Sequence, residues 1–189
     1  MTALKKPHFI SVEDYLDGEA RSEIKHEYLD GLVHAMAGGT FNHARISAKI
    51  LGELMAKLRG HPCQPWGSDA MLKVELSHQT RFYYPDGQVI CQPVPGTQRF
   101  HDSPTVVTEV LSESTRRIDT GEKKDAYLTI PSLKVLMLVD SEEKRVTVYR
   151  RLATGEFVTE DHADSGTIGL PEIGTELSFE EIYDGVEFG

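Results

Sequence analysis

The segment TVVTEVL at residues 105–111 constrains the fold more than any other part of this chain. It is almost wholly apolar and β-branched, which is typical of a central strand buried on both faces. A second apolar run, KVLMLV at residues 134–139, has the same character. Both segments predict interior strands of a sheet rather than strands with one solvated face.

Helical patterns and shorter strands surround these two segments. At residues 40–59 apolar side chains recur with the period of a helix, and Gly60 and Pro62 end the pattern. Further helices are predicted after Ser11, at 120–128 and near 179–183. Further strands are predicted at 26–36 around the turn Asp30-Gly31, 71–76, 81–84, 89–91 and 145–150, and two or three short strands complete the chain. This order predicts an α/β or α+β fold with a mixed sheet.

Length and composition place the chain among ordinary water-soluble proteins. Its 189 residues predict a single domain at 1–189, and no apolar run approaches the ~20 residues of a membrane helix. No secretory signal is recognisable at the N-terminus. Cys63 and Cys91 form no C-x-x-C motif, so we expect reduced, buried thiols in a cytoplasmic protein.

Charge is distributed unevenly along the chain. The formal net charge is -10, and residues 153–189 hold ten acidic residues and no Lys or Arg. Such a chain is repelled by polyphosphate at long range, which argues against a simple electrostatic DNA binder. We expect the acidic stretch to form a solvated face. The predicted helix at 40–59 carries the most basic face, formed by Arg45, Lys49, Lys57 and Arg59.

Two acids stand where chemistry is plausible. Glu109 interrupts the apolar strand, and a buried carboxylate without a partner is strongly unfavourable, so it should meet a metal, a base or several donors. Strand alternation equally allows Glu109 to face solvent while Thr108 is buried. Asp86 follows the strand RFYY, although Pro-Asp-Gly is also an ordinary turn.

These acids and a lysine that follows them form a set suited to metal-dependent hydrolysis. Carboxylate oxygens are the ligands that Mg²⁺ or Mn²⁺ prefers, and a lysine can assist the attacking water or stabilise developing charge. Lys123 and Lys124 lie on the predicted helix after Glu109. A helix lysine can also be merely solvated, and this alternative stays open.

At this point the chain resembles the Uma2 family of the PD-(D/E)XK restriction-endonuclease-like superfamily. The resemblance is carried by HEYLDGLVHAMAGGT with His43, by YYPDGQVIC, and by TEVLSESTRRIDTGEKKDAYLTIPSL with KVLMLVD and RVTVYRR. It covers about residues 11–151, and more loosely the acidic stretch at 153–189. The resemblance implies a restriction-endonuclease-like mixed β-sheet flanked by helices and a bacterial, Mg²⁺- or Mn²⁺-dependent nuclease.

The resemblance also implies roles for particular residues. Asp86 and Glu109 match the family's metal ligands, the backbone carbonyl of Val110 is a further ligand, and Glu27 matches an acid that joins the same site. The superfamily's E-x-K pattern would require a lysine where this chain has Leu111. In the Uma2 pattern Lys123, within GEK, takes that catalytic role.

Other polar residues near this block are candidates for substrate binding. Arg116 and Arg117 could contact a phosphate or pair with Asp119 and Glu122. The hydroxyls of Ser112, Ser114 and Thr115 could bind phosphate or cap the next helix. His43 could approach the site or simply cap its helix, and Tyr127 is expected in the core rather than in catalysis.

Two functions follow from these expectations. The first is a metal-dependent endonuclease that acts on nucleic acid, with DNA the expected substrate. A homodimer is expected because cutting two strands needs two sites. The second is a non-catalytic regulatory or protein-interaction module that retains the fold. The endonuclease requires Glu27, Asp86, Glu109 and Lys123 to converge in a cleft bordered by the basic helix face.

Overall fold

The architecture was established from a computed structural model, which describes residues 9–36, 38–113 and 115–188. Within them, strands assemble into sheets of five, six and two strands, with helices packed on the larger sheets. The chain therefore has the mixed, helix-flanked sheet architecture expected from the sequence. No helix in these ranges is both long and apolar enough to cross a membrane.

The strands follow the predicted pattern, with two additions at β3 and β7. The strands are β1 His26–Leu29, β2 Leu32–Ala35, β3 Gln64–Gly67, β4 Met71–Glu75, β5 Thr80–Tyr83, β6 Gly87–Ile90, β7 Phe100–His101, β8 Val106–Leu111, β9 Val135–Asp140, β10 Arg145–Arg151, β11 Phe157–Ala163, β12 Thr167–Leu170 and β13 Thr175–Ser178. The five-stranded sheet has the order β2-β1-β5-β4-β7, and the six-stranded sheet has the order β11-β10-β9-β8-β6-β3. In the larger sheet β8 and β9 are parallel, whereas β6 runs antiparallel to β8.

Within the described residues these strands are accompanied by five helices, a π-helical turn and a 3₁₀ turn. They are α1 Val12–Glu19, α2 Phe41–Lys57, α3 Arg116–Ile118, α4 Lys124–Leu128 and α5 Phe179–Tyr183, with the π-helical turn at Asp119–Lys123 and the 3₁₀ turn at Pro171–Ile173. Side chains cap three of them: Ser11 caps α1, Thr40 caps α2, and Ser178 forms a capping box with Glu181 on α5.

Strand β8 is buried on both faces, as its composition predicts. Val106 and Val110 join the core between the large sheet, α2 and α5. Val107 and Leu111 join the opposite core, which lies under α4. Because successive side chains of a strand alternate between faces, Glu109 lies on the α4 side of the sheet.

The prediction of two reduced thiols is wrong. Cys63 and Cys91 form a disulfide bond. Strand β3 pairs with β6 so that Gln64 lies opposite Ile90, and the next pair outward brings the two cysteines together. This pairing is not predictable from the sequence, because Gln64–Gly67 carries no strand pattern of its own. The expectation of a cytoplasmic location thereby loses one of its supports.

The expected basic face of α2 does not line the cleft that holds Asp86 and Glu109, and two of its four cations pair with acids. Lys49 pairs with Asp184, and Lys57 contacts Glu181 at 2.6 Å and donates to the backbone carbonyl of Glu176. The acidic stretch, expected to be a solvated face, instead packs through Phe179 and Ile182 into the core beside α2. Packing of these apolar side chains places the carboxylates of the acidic stretch next to Lys49 and Lys57.

Candidate active site

Glu109 is buried in the middle of β8 and has partners there. Thr108 and Glu109 are both buried, at 2% and 3% exposure, which excludes the alternative that Glu109 lies on a solvated face while only Thr108 is buried. The Tyr127 hydroxyl donates to Glu109 Oε1 at 2.7 Å, and Lys123 Nζ lies 3.0 Å from the same oxygen. A phenol and an ammonium therefore hold one oxygen of this carboxylate.

Lys123 points into the protein and is not a solvated helix residue. The helical segment after β8 is kinked at Gly121, whose backbone angles are not helical, and Asp119 and Lys123 are both buried within it. Interrupted helical turns of this kind are frequent at functional sites. Lys124, one residue on, lies over the Tyr149 ring and pairs with Asp125, as expected for a side chain facing elsewhere.

The Lys123 ammonium connects three acids. It lies 3.0 Å from Oε1 of Glu27 on β1, 3.0 Å from Oε1 of Glu109, and 3.8 Å from Oδ1 of Asp119. Glu27 thus reaches the site from the smaller sheet, at the start of β1 where the sequence places it. Lys123 joins the two sheets electrostatically.

Asp86 lies at the start of β6 and is anchored there, so it is not a free surface turn. Its Oδ2 accepts a hydrogen bond from the backbone N–H of Val110 at 2.8 Å and lies 3.2 Å from Nε2 of His43. His43 comes from the first turn of α2, close against Gly39. The predicted residues Asp86, Glu109, Val110 and His43 therefore meet at one place.

Asp86 and Glu109 share one further property. In the described part of the chain, hydrogen bonds reach Oδ2 of Asp86 and Oε1 of Glu109, none is found to Oδ1 of Asp86 or Oε2 of Glu109, and both side chains line the same cleft. Each carboxylate thus has one oxygen fixed by protein donors and a second oxygen available to a ligand.

These groups line an open cleft of about 440 Å³, which we call the acid cleft. Asp86, Glu109, Val110, His43 and Lys123 all contribute to its wall. A second cleft of about 730 Å³, the side cleft, adjoins it and contains Glu27, Arg81, Arg117 and Ile118. Met36, Thr115, Asp119 and Lys123 line both clefts, so the two meet at Lys123.

Burial and neighbouring charges shift the titration of these groups. Burial raises the pKa of Glu109 to about 8; the Lys123 ammonium opposes this rise, and the charge of Asp86 adds to it. Burial alone would lower the pKa of Lys123, but Glu109, Glu27 and Asp119 together raise it above its usual value. The hydrogen bond to Asp86 raises the pKa of His43. A cation near Asp86 and Glu109 would offset the excess negative charge.

The candidate substrate-binding residues are used differently from one another. Arg116 makes a bidentate pair with Asp140, at 2.5 and 3.0 Å, and also contacts Glu142, so its partners are not the predicted Asp119 and Glu122. Arg117 is exposed in the side cleft and forms no ion pair with any described residue. Ser112 contacts Thr115 Oγ1 at 3.0 Å and lines the acid cleft. Ser114 lies outside the described residues.

Two residues of the site were not predicted from the sequence to belong to it. Tyr127 was expected only in the core, yet its hydroxyl orients Glu109. Asp119 was considered only as a partner for arginine, yet it lies beside Lys123. Their spacing was a usable signal, because Asp119, Lys123 and Tyr127 recur every four residues and so belong to one helix face.

The donor atoms of the acid cleft suit a hard divalent cation. Carboxylate oxygens of Asp86 and Glu109 and the carbonyl of Val110 are ligands of the type that Mg²⁺ and Mn²⁺ prefer. Among residues 9–36, 38–113 and 115–188, no three His, Cys, Asp or Glu side chains are grouped as a metal cluster. Mg²⁺ commonly binds through one or two carboxylates with water and substrate oxygens, which matches a two-acid site.

Comparison with known proteins agrees with this fold. The model of the Uma2 family, described as "Putative restriction endonuclease", matches residues 12–180. An uncharacterized protein of Synechocystis is 33% identical over 180 residues, covering 95% of this chain and 94% of the relative, and a second is 24% identical over 161 residues, covering 84% and 90%.

A solved structure shares the fold. The crystal structure of a putative nuclease belonging to DUF820 from Anabaena variabilis superposes with a TM-score of 0.73 at 16% identity, covering 92% of this chain and 97% of that one. Together with the family match over most of the chain, this shows that the protein belongs to the Uma2 family.

Proposed function

We propose that this chain is a nuclease that hydrolyses phosphodiester bonds with a divalent cation, Mg²⁺ or Mn²⁺, at the acid cleft. One observation carries the proposal: Asp86 and Glu109 each have one oxygen fixed by protein donors and one oxygen open to a ligand in the same cleft. The nuclease description of the family and of the Anabaena protein supports the reaction class.

In this proposal Asp86, Glu109 and the Val110 carbonyl hold the cation. The bound cation supplies Lewis-acid stabilisation of charge on the phosphate and promotes ionisation of water. Hydrolysis forms a bond between the water oxygen and phosphorus, breaks one ester P–O bond, and returns a proton to the leaving oxygen. Tyr127 and the Val110 N–H keep the two carboxylates oriented for this.

Lys123 stabilises the negative charge that develops on the phosphate. Its raised pKa keeps the ammonium charged, and it lies at the junction of the two clefts. Glu27 and Asp119 hold the ammonium in place from the far side. We therefore assign Glu27 to the positioning of Lys123 in preference to its predicted role as a metal ligand.

The alternative function, a non-catalytic module, predicts different environments for Lys123 and Asp86. It predicts a solvated Lys123 and an Asp86 that serves only as a surface turn. The buried Lys123 and the anchored Asp86 favour the enzyme instead. A homodimer, which the cutting of two DNA strands would require, and a cytoplasmic location stay predictions.

Calorimetric titration of Mn²⁺ tests the metal site directly. The wild type is compared with Asp86→Asn and Glu109→Gln, and with Asp161→Asn on β11 as a control that removes an acid outside both clefts. We expect binding by the wild type and the control and its loss in the two site variants. Circular dichroism confirms that each variant is folded.

Hydrolysis of bis(p-nitrophenyl) phosphate in Mn²⁺ then tests the reaction without assuming a natural substrate. We expect turnover by the wild type and none by Asp86→Asn or by Lys123→Met. A folded wild type that neither binds Mn²⁺ nor hydrolyses this diester above the Asp86→Asn background would overturn the proposal and favour the interaction module.

A further inference from the structure

Exposed apolar side chains are concentrated around the candidate site. Ten large apolar side chains are exposed in the described residues, and five of these line the acid cleft or the side cleft: Phe9, Ile24, Leu32, Met36 and Ile118. Clusters of exposed apolar groups commonly mark a binding surface. Because the two clefts adjoin at Lys123, this surface is continuous with the proposed catalytic groups.

The cations around this surface are mostly neutralised. Arg81 pairs with Glu122 at 3.0 Å, and Lys25 pairs with Asp69 at 2.5 Å. Arg116 is held by Asp140, and the lysines of α2 are covered by the acidic stretch. Of the lysines and arginines that line the two clefts, only Arg117 makes no ion pair within the described ranges.

A surface with several exposed apolar side chains and few free cations is not suited to binding a DNA duplex. A duplex presents two rows of phosphates on its outside and keeps its bases stacked inside, so its binding depends on many free lysines and arginines. The clefts offer one such cation and a set of apolar walls. A single strand has the opposite character, because its unpaired bases are free to pack against apolar side chains.

We propose that the substrate of this site is single-stranded nucleic acid. The phosphate to be cleaved sits at Asp86 and Glu109, and the flanking bases lie in the side cleft against Leu32, Met36 and Ile118, with Arg117 contacting a neighbouring phosphate. The proposal rests on the proposed nuclease function and narrows its substrate. A single strand needs only one active site, so this substrate does not require a homodimer.

Fluorescence anisotropy in the presence of EDTA tests binding without turnover. The probes are one labelled sequence as single-stranded DNA, as single-stranded RNA and as duplex DNA. We expect at least one single strand to bind about tenfold more tightly than the duplex. Duplex binding that equals or exceeds that of both single strands overturns the proposal.

Two double variants test the apolar wall. Leu32→Ser with Ile118→Ser removes apolar groups from the side cleft, and Leu152→Ser with Val158→Ser removes similarly exposed groups outside both clefts. We expect the first pair to weaken single-strand binding about tenfold and the second pair to leave it unchanged. If both pairs weaken single-strand binding equally, the proposal is overturned. If the wild type is a dimer that only the first pair dissociates, the proposal is also overturned and this surface is an interface between copies of the chain.

A small diester separates this inference from the proposed function. Because bis(p-nitrophenyl) phosphate carries no bases or flanking nucleotides, its hydrolysis by the wild type reports on the acid cleft alone. If the wild type hydrolyses the diester but binds no single strand in preference to the duplex, the proposed nuclease function is retained and the proposal of a single-stranded substrate is overturned. Tight single-strand binding without hydrolysis of any diester supports the binding groove and overturns the nuclease function.

Discussion

Glu109 Oε1 receives both the Tyr127 hydroxyl and the Lys123 ammonium, which leaves its second oxygen facing the cleft. A side chain with three rotatable bonds would otherwise sample several orientations in a space this size. Fixing one oxygen with two donors preorganises the other oxygen for a ligand. Tyr127 therefore acts through Glu109 as a positioning residue.

Removing the Tyr127 hydroxyl should weaken metal binding without unfolding the protein. We expect Tyr127→Phe to lower the free energy of unfolding by about 1–2 kcal/mol, since a buried hydrogen bond is lost, and to weaken Mn²⁺ binding in calorimetry. Tyr183→Phe is the matched control, because its buried hydroxyl hydrogen-bonds to backbone groups, including the N–H and the carbonyl of Arg145. Equal Mn²⁺ affinity in the two variants would show that Tyr127 is only structural.

A second buried group, His101, should make stability depend on pH. Its Nε2 lies 2.6 Å from Gln88 Oε1, and the Gln88 amide nitrogen donates to the Ala70 carbonyl, so the neutral ring carries its proton on Nε2. Burial lowers the pKa of His101 to about 4. Between pH 6.5 and about 4 the unfolded chain therefore binds more protons than the folded chain, and stability falls as the pH falls.

We expect His101→Gln to flatten this pH dependence, although it should also lower stability at neutral pH through lost packing. Urea unfolding at several pH values between 4 and 7 measures the effect. His78→Gln, at an exposed position, is the control and should retain the wild-type slope. A wild-type slope in His101→Gln would assign the proton uptake to another group.

At the level of residues, the sequence predicted part of the site. Glu109 was identifiable because a carboxylate inside an apolar strand needs a partner, and Asp86 and Lys123 were found through the resemblance. Glu27 was likewise placed at the site by the resemblance. The contacts of Tyr127 and Asp119 were not predicted, because these residues reach Glu109 and Lys123 only after a kinked helix packs against the sheet. Contacts of that kind depend on tertiary packing that the spacing of residues does not specify.

Among the elements, α5 determines what the basic face of α2 can do. Phe179 and Ile182 are buried against the core, and Lys57 meets Glu181 at the surface above them. Burial of apolar surface contributes far more to stability than an exposed ion pair. The acidic stretch is therefore held by its apolar side chains, and the charge pairing follows.

If apolar burial holds the acidic stretch more strongly than charge pairing does, two variants should differ in stability. We expect Ile182→Ala to lower the free energy of unfolding by about 2–4 kcal/mol, because a fully buried side chain leaves a cavity. Lys57→Ala, by contrast, should lower it by at most about 1 kcal/mol. Denaturant unfolding measures both, and a larger effect for Lys57→Ala would mean that charge holds the segment.

Strand β3 is tied to β6 by the disulfide, and this bond should contribute measurably to stability. The two cysteines are 28 residues apart, so a cross-link of this span should stabilise the fold by about 3–4 kcal/mol. A reducing agent should lower the free energy of unfolding of the wild type but leave that of the double variant Cys63→Ser, Cys91→Ser unchanged. Two free thiols in unreduced, denatured protein would contradict the bond.

Elements with strong local patterns were predictable, and elements defined by pairing were not. Strands β8 and β9 and helix α2 have continuous or periodic apolar residues, and each is found where the sequence predicts it. Strand β3 contains Pro65 and Gly67, and β7 has only two residues, so neither has a pattern of its own. Both exist because a neighbouring strand offers hydrogen bonds.

At the scale of the molecule, whose net charge is -10, the fold determines which cations are free to attract phosphate. In the sequence, a basic helix face and an acidic stretch are separate features, which suggests a cationic surface for phosphate. In the fold Lys49 and Lys57 of that face pair with the acidic stretch. Among the described lysines and arginines that line the clefts, only Arg117 makes no ion pair with a described residue. Long-range attraction of nucleic acid is therefore weak.

Weak attraction predicts a shallow dependence of binding on salt. For single strands, log K falls by about 0.7 per log unit of salt for each phosphate neutralised. With one or two phosphates contacted, we expect a slope between about -0.7 and -1.4. Anisotropy titrations of the preferred single strand at several salt concentrations measure it, and Arg117→Ala should reduce the slope by about 0.7. A slope steeper than about -4 would mean that cations outside the clefts contact the backbone, as a protein that follows a duplex requires.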